Sequence, residues 1–425
     1  MTLVRWLISF AVLSSLGCGG DESEHKLSVE VGSARRSGAS PMKANLRSDD
    51  LVLKSADGRD LDGDRLSDAD EQQWQTDPGN PDTDGDGLLD GWEVYGVNGI
   101  DLRQLGASPR RRDVFVEMDY MTRADASNGL ASGDDVIKRI VRVFAEAPIQ
   151  NPDGSSGITL HLERGEEVPY DANLSPLDRE FYALKQRYFD SSTRGPVYHY
   201  MIWANAYNNG SSSGYSMSTP GSDFIVTLGR WNGNRGGTDD EKVGTFVHEL
   251  GHNLGLRHGS TDDTSYKPNH LSIMNYSFQT SGVSINDVRS FGYQPFAMKA
   301  LDETALSEQD GLQPKSPTLD RYETMWRVLS GATRKGPAGG PLDWTGNKKL
   351  DDQKVAVDLN DDRVKNVLGA TVDEWSALKY RAGTIGSTQG RNKLHDLAKR
   401  VFVVQPVEEL TAEEDQRTKA SLLAP

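Results

Sequence analysis

The sequence predicts an α+β domain in which a largely parallel sheet is covered by helices. From Asp113 onward, short β-rich runs alternate with helical patterns, which is typical of strands joined by crossover helices. A polar, glycine-rich stretch at 210–218 lies between the third and fourth β-rich runs. Because such a stretch packs poorly in a sheet centre, it predicts a weak edge strand or a loop. The 425 residues suffice for one large domain or two ordinary ones.

The predicted elements follow one another in a regular order. The strands are rich in β-branched and aromatic residues and span Val114–Met118, Ile158–Glu163, Val197–Ala204 and Phe224–Leu228. The helices carry apolar residues at helical spacing and span Asp134–Ala147, Leu177–Phe189 and Asp239–Leu254. Near the carboxyl terminus, a short helix is predicted over Asp373–Arg381 and a charged helix or tail from Glu408 onward.

The motif H-E-x-x-H-x-x-G-x-x-H begins at His248 and is complete. Four residues of helix advance about 400°, so His248 and His252 project from one face, one turn apart. Gly255 permits a positive φ, so the helix can end there and the chain can bring His258 to the same ion. Three neutral imidazoles and an open position are typical of catalytic zinc. Glu249 is predicted to be the general base towards a zinc-bound water.

This motif resembles that of the metzincin clan of zinc metalloproteases. The clan also has a Met-turn below the metal, and the segment around Met274 matches it. The resemblance implies that Met274 forms an apolar floor and that Tyr276 approaches the zinc and stabilises the transition state, as in astacins and serralysins. Gly259 departs from both subfamilies, which have Glu and Pro at that place. A thermolysin-like site with Glu303 or Glu308 as third ligand is the alternative, which His258 makes unnecessary.

The resemblance covers roughly residues 112–311, the predicted catalytic domain. It is nearest to bacterial secreted metalloproteases with stretches such as 267–271 and 113–117. It implies a metzincin-like catalytic domain with a mixed twisted sheet, mostly parallel with one antiparallel edge strand, and an active-site helix. It also implies that Ser212–Ser218 binds extended substrate by strand addition, which favours polypeptide substrates. Residues 312–425 are expected to form a carboxyl-terminal subdomain or an extension of this domain.

Two acidic loops precede this domain, within residues 57–100. A calcium loop of this kind has carboxylates at positions one, three, five, nine and twelve and glycine at six. The second loop fits throughout, whereas the first has Arg65 at position six. The predicted calcium ligands are Asp82, Asp84, Asp86, Asp90 and Glu93 in the second loop and Asp60, Asp62, Asp64, Asp68 and Glu71 in the first. The linking segment 77–81 resembles thrombospondin type 3 repeats, and a solvated acidic linker is the alternative.

The amino terminus predicts export. Residues 1–5 carry one positive charge, and residues 6–16 form an uncharged apolar run too short to span a bilayer. The run is followed by Cys18, the only cysteine of the chain, in a sequence that resembles a bacterial lipobox. Residues 1–18 are therefore interpreted as a signal or lipoprotein peptide, and residues 19–56 as a linker or short propeptide. A lipoprotein at the cell surface or outer membrane is expected, and ordinary signal cleavage to a secreted protein is the alternative.

Composition limits the possible partners. The net charge of −16 argues against nucleic acid, whose phosphates require an excess of basic side chains. The expected protein is a monomeric zinc endopeptidase with Zn²⁺ and Ca²⁺ as cofactors, protein or peptide as substrate, and membrane contact only through a lipid anchor. The alternatives are a catalytically inactive or narrowly specific surface adhesion protein on the same fold and a processing enzyme for one partner.

Overall fold

The computed structural model describes the greater part of the chain. The described residues are 58–122, 132–313, 316–328, 330–380 and 409–423. The predicted signal or lipoprotein peptide, with Cys18, and the predicted linker up to residue 56 lie outside them. Among the helices of the described ranges, none is both long and apolar enough to cross a membrane.

A five-stranded sheet forms the centre of the molecule. Its strands are β1 (Asp113–Met121), β2 (Thr159–Val168), β3 (Tyr198–Trp203), β4 (Gly214–Ser216) and β5 (Asp223–Val226). The spatial order is β2-β1-β3-β5-β4. Neighbouring strands are parallel except for β4, which runs antiparallel to β5 at the edge.

Helices accompany this sheet along the chain. They are α1 (Asp68–Trp74), α2 (Asp90–Tyr95), α3 (Asp134–Ala145), α4 (Leu177–Tyr188), the short turn α5 (Trp231–Asn234), α6 (Asp239–Asn253) and α7 (Ala412–Leu423). α3 and α6 pack together in a core that includes Phe144 and Phe246. A second core contains α4, where Phe181 packs against Tyr200 of β3, and it also includes Leu88 from the second acidic loop. All six residues of β3 are buried, as expected of a central parallel strand.

The sequence specifies where α6 begins and ends. The Thr238 hydroxyl accepts a hydrogen bond from the Glu241 amide, and the Glu241 carboxylate accepts one from the Thr238 amide, forming a capping box. The helix ends just before Gly255, which has a φ of 90°. Gly244 allows a close crossing, since a Cβ there would lie 1.7 Å from the carbonyl oxygen of Gln279. The helix is therefore buried against the chain that follows it.

Smaller elements follow α6. They are β6 (Val283–Ile285), β7 (Val288–Ser290), β8 (Leu301–Asp302), a 3-10 turn (Leu319–Arg321), β9 (Glu323–Arg327), β10 (Thr333–Pro337) and β11 (Val367–Leu368). The pairs β6–β7, β8–β11 and β9–β10 are antiparallel. A third core joins Leu271 and Phe278 to Trp326 and Trp344. Residues on both sides of Gly311 therefore contribute to one apolar cluster.

The predicted alternation of strands and helices is confirmed. Each predicted strand and helix up to Leu254 corresponds to an observed element, and β2 continues beyond its predicted end to Val168. The sheet is mostly parallel, and the glycine-rich stretch at 210–218 supplies its antiparallel edge strand. The observed architecture is thus mixed α/β with few helices and is compatible with a metalloprotease domain. Of the charged helix or tail predicted from Glu408 onward, the part from Ala412 forms the helix α7.

The short helix predicted over Asp373–Arg381 is wrong in its described part, where the chain forms a turn. Tertiary contacts override the local helical pattern. Trp375 packs against the ring of Phe144, with centroids 5.8 Å apart, and against the ring of Tyr293, with centroids 4.6 Å apart. The backbone amide of Lys379 donates to a carbonyl at the end of α6 instead of to its own segment.

Candidate metal centre

Three histidine side chains converge at the end of α6. The Nε2 atom of His252 lies 3.1 Å from that of His248 and 3.0 Å from that of His258. Nitrogens bound at about 2.0–2.1 Å to one tetrahedral zinc ion lie about 3.3 Å apart. The observed spacing therefore fits a zinc ion between the three rings.

Hydrogen bonds orient two of these rings. Nδ1 of His248 lies 3.0 Å from the carbonyl oxygen of Ile273, and Nδ1 of His252 lies 2.8 Å from that of Leu256. Donation from Nδ1–H to these carbonyls leaves the Nε2 lone pairs directed at the shared position. Burial lowers the pKa of His248 and of His252, so both imidazoles are neutral near pH 7, as metal ligands must be.

Two glycines shape the chain on either side of the third histidine. Gly255 has a positive φ, as the motif predicts, and turns the chain out of α6. Gly259 follows His258, and a Cβ there would lie 2.0 Å from Oδ1 of Asp262 and 2.6 Å from the carbonyl oxygen of Thr264. Any larger residue would collide with backbone. This collision gives a physical reason why neither Glu nor Pro stands after the third histidine in this chain.

Two buried side chains hold this loop in place. The Lys267 ammonium donates to the carbonyl oxygen of Gly259 at 2.6 Å. His270 has its Nδ1 2.9 Å from the carbonyl oxygen of His258 and its Nε2 2.7 Å from the carboxylate of Glu374. The stretch 267–271, singled out by sequence resemblance, therefore supports the backbone of the third histidine.

The predicted Met-turn lies under the histidines. Met274 is fully buried, and its Sδ would be 2.5 Å from a Cβ placed on Gly251, between the two helical histidines. The Tyr276 hydroxyl lies 2.9 Å from Nε2 of His258. Burial, and secondarily the charge of Glu409, raises the pKa of Tyr276, so the phenol remains protonated and can donate a hydrogen bond.

Glu249 is buried beside the three histidines. Among the described residues, neither of its carboxylate oxygens has a hydrogen-bond partner. Burial, followed by the charge of Glu409, raises the pKa of Glu249 well above its usual range. Strand β4 passes close by, because a Cβ on Gly214 would lie 2.6 Å from Oε1 of Glu249. A buried carboxylate without partners is poised to exchange a proton with a molecule that enters the site.

A fourth side chain at the centre was missed by sequence reasoning. The Glu409 carboxylate lies 3.5 Å from Nε2 of His258, 3.6 Å from that of His248 and 3.8 Å from that of His252. Burial acts to raise its pKa, but His258 and the other histidines hold the pKa of Glu409 well below its usual range. The separation of Glu409 from the motif along the chain leaves no spacing signal for it.

The metal-binding motif lies within a stretch that matches a known protein family. Residues 108–289 match a metallopeptidase family model. Its description is Reprolysin_5, metallo-peptidase family M12. The match supports a hydrolase of the metalloprotease kind that uses zinc. It includes the three histidines, Glu249, Met274 and Tyr276, but ends before Glu409 and begins after the acidic loops.

Other comparisons add little. No curated protein matches the chain. A solved structure described as "Structure of a chaperone-substrate complex" is similar over 44% of this chain, with 14% identity and a TM-score of 0.26. The matched region spans 32% of that structure's chain, about a third of its length.

The two acidic loops share a carboxylate group and a positive φ at position six. Asp60, Asp62 and Asp64 form one carboxylate group, with oxygens within 4.8 Å of one another. Asp82, Asp84 and Asp86 form the corresponding group in the second loop. Position six has a φ of 82° at Arg65 and 92° at Gly87, so arginine adopts the turn that was expected to need glycine.

Position twelve of each loop carries a buried glutamate. Both carboxylate oxygens of Glu93 and Oε2 of Glu71 have no hydrogen-bond partner among the described residues. Burial, followed by nearby carboxylates, raises the pKa of Glu71 to about 7 and that of Glu93 well above its usual range. Buried acids that repel one another in this way can be compensated by a bound cation.

Position nine has a different environment. The Asp68 carboxylate binds Arg59 and the amide of Leu61. The Asp90 carboxylate accepts hydrogen bonds from the amide and hydroxyl of Thr83. Both side chains therefore brace their loops and lie outside the carboxylate groups, although they remain predicted ligands.

Asp113, the first residue of β1, joins the second loop. Its carboxylate forms a group with those of Asp86 and Glu93, with ligand oxygens within 4.8 Å of one another. Its backbone amide donates to Oδ2 of Asp86 at 2.6 Å. Sequence reasoning missed this residue because it lies outside the loop pattern. The contact links the second acidic loop directly to the central sheet.

A buried histidine of the central sheet predicts a pH effect on stability. His199 of β3 is buried with Nδ1 3.0 Å from Oδ1 of Asn253, and burial, aided by the charge of Lys185, lowers its pKa to about 4. The unfolded chain has a histidine pKa of about 6.5, so it binds a proton that the folded chain excludes. The contribution of neutral His199 to the free energy of unfolding is fully present above pH 6.5. It is lost as the pH falls towards 4, by about 3 kcal/mol in total.

Replacing His199 by glutamine should therefore flatten the pH dependence of unfolding. The measurement is the free energy of unfolding in urea for both chains at pH 7.5 and pH 4.5. The difference between the two pH values should be smaller for the His199→Gln chain. Equal differences in the two chains would show that His199 does not titrate as stated.

Proposed function

We propose that this chain is a zinc-dependent endopeptidase of the metzincin type. The observation that carries the proposal is the convergence of three histidine Nε2 atoms beside the buried, unpartnered carboxylate of Glu249. The family match over residues 108–289 supports the same class of reaction. The motif has every side chain that the proposed chemistry requires, so the alternative of an inactive adhesion protein is not favoured.

The residues present support a division of roles. His248, His252 and His258 would hold the zinc, which when bound lowers the pKa of water and polarises a peptide carbonyl. Glu249 would take a proton from the attacking water and pass it to the leaving amine. The Tyr276 hydroxyl would donate a hydrogen bond to the oxyanion that develops on the substrate.

The substrate would be a polypeptide in extended form. β4 is the edge strand of the sheet, and Gly214 brings it close to Glu249. An extended peptide that adds to this edge would place its carbonyl groups near the histidines. The segment Ser212–Ser218 is therefore the proposed contact for substrate backbone.

We propose calcium as the second cofactor, bound by the two thrombospondin type 3-like loops. The partnerless, buried oxygens of Glu71 and Glu93 support this, because they face carboxylates of the same loop. Asp113 would be an additional ligand in the second loop. Calcium would then stiffen the junction between these loops and the sheet.

We further propose that the protein is exported. This rests on the apolar run at residues 6–16 and on the lipobox-like sequence at Cys18, both outside the described residues. A lipoprotein at the cell surface or outer membrane is the proposed form, with a secreted monomer as the alternative.

Metal analysis with a cleavage assay tests the zinc proposal. The purified wild-type chain should contain about one zinc, and a chain with both His258→Ala and Glu409→Ala should lose it, because only two imidazoles then remain at the centre. The matched control is His199→Gln, a buried histidine outside the triad, which should retain zinc.

Cleavage of a denatured protein should be lost with a chelator and restored by zinc. The Glu409 carboxylate lies beside the three histidines, where it could hinder substrate. Cleavage is therefore measured with both the wild-type and the Glu409→Ala chains. A folded wild-type chain without zinc would contradict the proposal.

A further inference from the structure

We infer that the segment Glu409–Leu423 is an intramolecular ligand of the active site, in which Glu409 binds the zinc as fourth ligand and residues 410–412 occupy part of the substrate-binding edge. The inference rests on the proposed function. It identifies how the same site is regulated, since substrate would have to compete with the chain's own carboxyl-terminal segment.

The position of Glu409 matches a fourth ligand. Its oxygens lie 3.5–3.8 Å from the three Nε2 atoms. Two ligand atoms on one tetrahedral zinc ion lie about 3.3 Å apart, and carboxylate is an ordinary zinc ligand. The carboxylate also accepts a hydrogen bond from the Tyr276 hydroxyl at 3.0 Å. It therefore occupies the position where a catalytic site needs water or substrate.

The backbone beyond Glu409 pairs with the edge of the sheet. The amide of Ser213 donates to the carbonyl oxygen of Leu410 at 2.9 Å, and the amide of Ala412 donates to that of Ser211 at 3.2 Å. Thr411 and Ser212 are thus partners in an antiparallel bridge. Residues 211–213 lead directly into β4, which passes next to Glu249. Part of the proposed substrate-binding edge is therefore already paired with this chain's own backbone.

Side-chain contacts anchor the rest of the segment. Leu410 is fully buried in the core that contains α6. In α7, Asp415 accepts a hydrogen bond from Thr280, which follows the predicted Met-turn, and Lys419 forms an ion pair with Glu241 of α6 at 2.9 Å. The segment therefore bridges the edge strand, the active-site helix and the chain below the metal. Such a bridge blocks the cleft without any covalent change.

This arrangement lowers the apparent affinity for substrate. If only a fraction of molecules has the segment displaced, the apparent dissociation constant rises by the reciprocal of that fraction. Removing the Glu409 carboxylate removes its contact with the metal and favours the open state. The three imidazoles suffice to hold zinc, so the metal should remain.

The test compares full-length chains that differ at one position. The variants are Glu409→Ala, Glu409→Gln, which preserves side-chain volume should the alanine chain fold poorly, and the control Glu146→Gln. Glu146 lies exposed at the end of α3, outside the carboxyl-terminal segment, and provides the same loss of charge. Each chain is examined for zinc content, for affinity towards acetohydroxamic acid as a zinc-binding probe, and for the visible spectrum of its cobalt-substituted form.

Both Glu409 variants should retain about one zinc and show a changed cobalt spectrum. We expect at least tenfold tighter hydroxamate binding and at least tenfold faster cleavage of a denatured protein. Glu146→Gln should match the wild type. Unchanged hydroxamate affinity and cobalt spectrum in zinc-containing Glu409 variants would overturn the inference while leaving the proposed function intact. Loss of zinc in these variants would also overturn it, because Glu409 would then be a required ligand. Absence of zinc from every chain, the wild type included, would instead contradict the proposed function.

Discussion

Replacing Glu249 by glutamine is expected to lower the rate of peptide hydrolysis by about two to four orders of magnitude while zinc stays bound. General acid–base catalysis contributes an effect of this size. The amide has nearly the volume of the carboxylate but cannot accept the proton of the attacking water. Glu249 is not one of the four residues whose ligand atoms surround the metal position. Its replacement should therefore leave the three imidazoles in place.

The measurement is kcat/KM on a quenched peptide, made in the Glu409→Ala chain so that the carboxyl-terminal segment does not mask the effect. Zinc content and the urea midpoint are measured in parallel. The matched control is Asp239→Asn, the same change at an exposed position in the first turn of the same helix. A Glu249→Gln chain that retains zinc and most of its activity would rule out Glu249 as the general base.

Removing calcium is expected to lower the free energy of unfolding by about 4 kcal/mol, if the ion is present at about 1,000 times its dissociation constant. Asp84, Asp86 and Glu93 are buried close together in the second loop. Burial first, and neighbouring carboxylates second, raises the pKa of Asp84 to about 8. Without a cation, the carboxylates of this group must either repel one another or take up protons. Since Asp113 of β1 shares the group, the loss should extend to the central sheet.

The measurement is urea unfolding at pH 7 in excess calcium and in a calcium chelator that leaves the zinc content unchanged, verified by elemental analysis. Glu93→Gln should remove much of the calcium-dependent stabilisation, because it removes the charge that closes the second loop. Asp77→Asn, between the two loops and outside both carboxylate groups, should behave as the wild type. Equal stability of the wild type with and without calcium would refute the calcium proposal.

The local sequence pattern was sufficient to predict much of the candidate site. The spacing of His248 and His252 follows from the helical repeat, and Gly255 adopts the positive φ that the motif predicts. The acidic loops were recognisable because the relevant side chains lie within twelve residues of one another. The same locality explains the error at 373–381, where the packing of Trp375 against distant rings overrides the helical pattern.

The sequence by itself determined the alternation of strands and helices, the three histidines with Glu249, and the carboxylates of the two loops, because each is set by periodicity or by short-range spacing. Only the tertiary structure decided that Glu409 lies at the histidines and that Asp113 lies at the second loop. Such contacts join residues far apart along the chain or outside a motif, and no repeat distance encodes them. They arise when elements with complementary apolar faces pack, which brings the attached polar groups together.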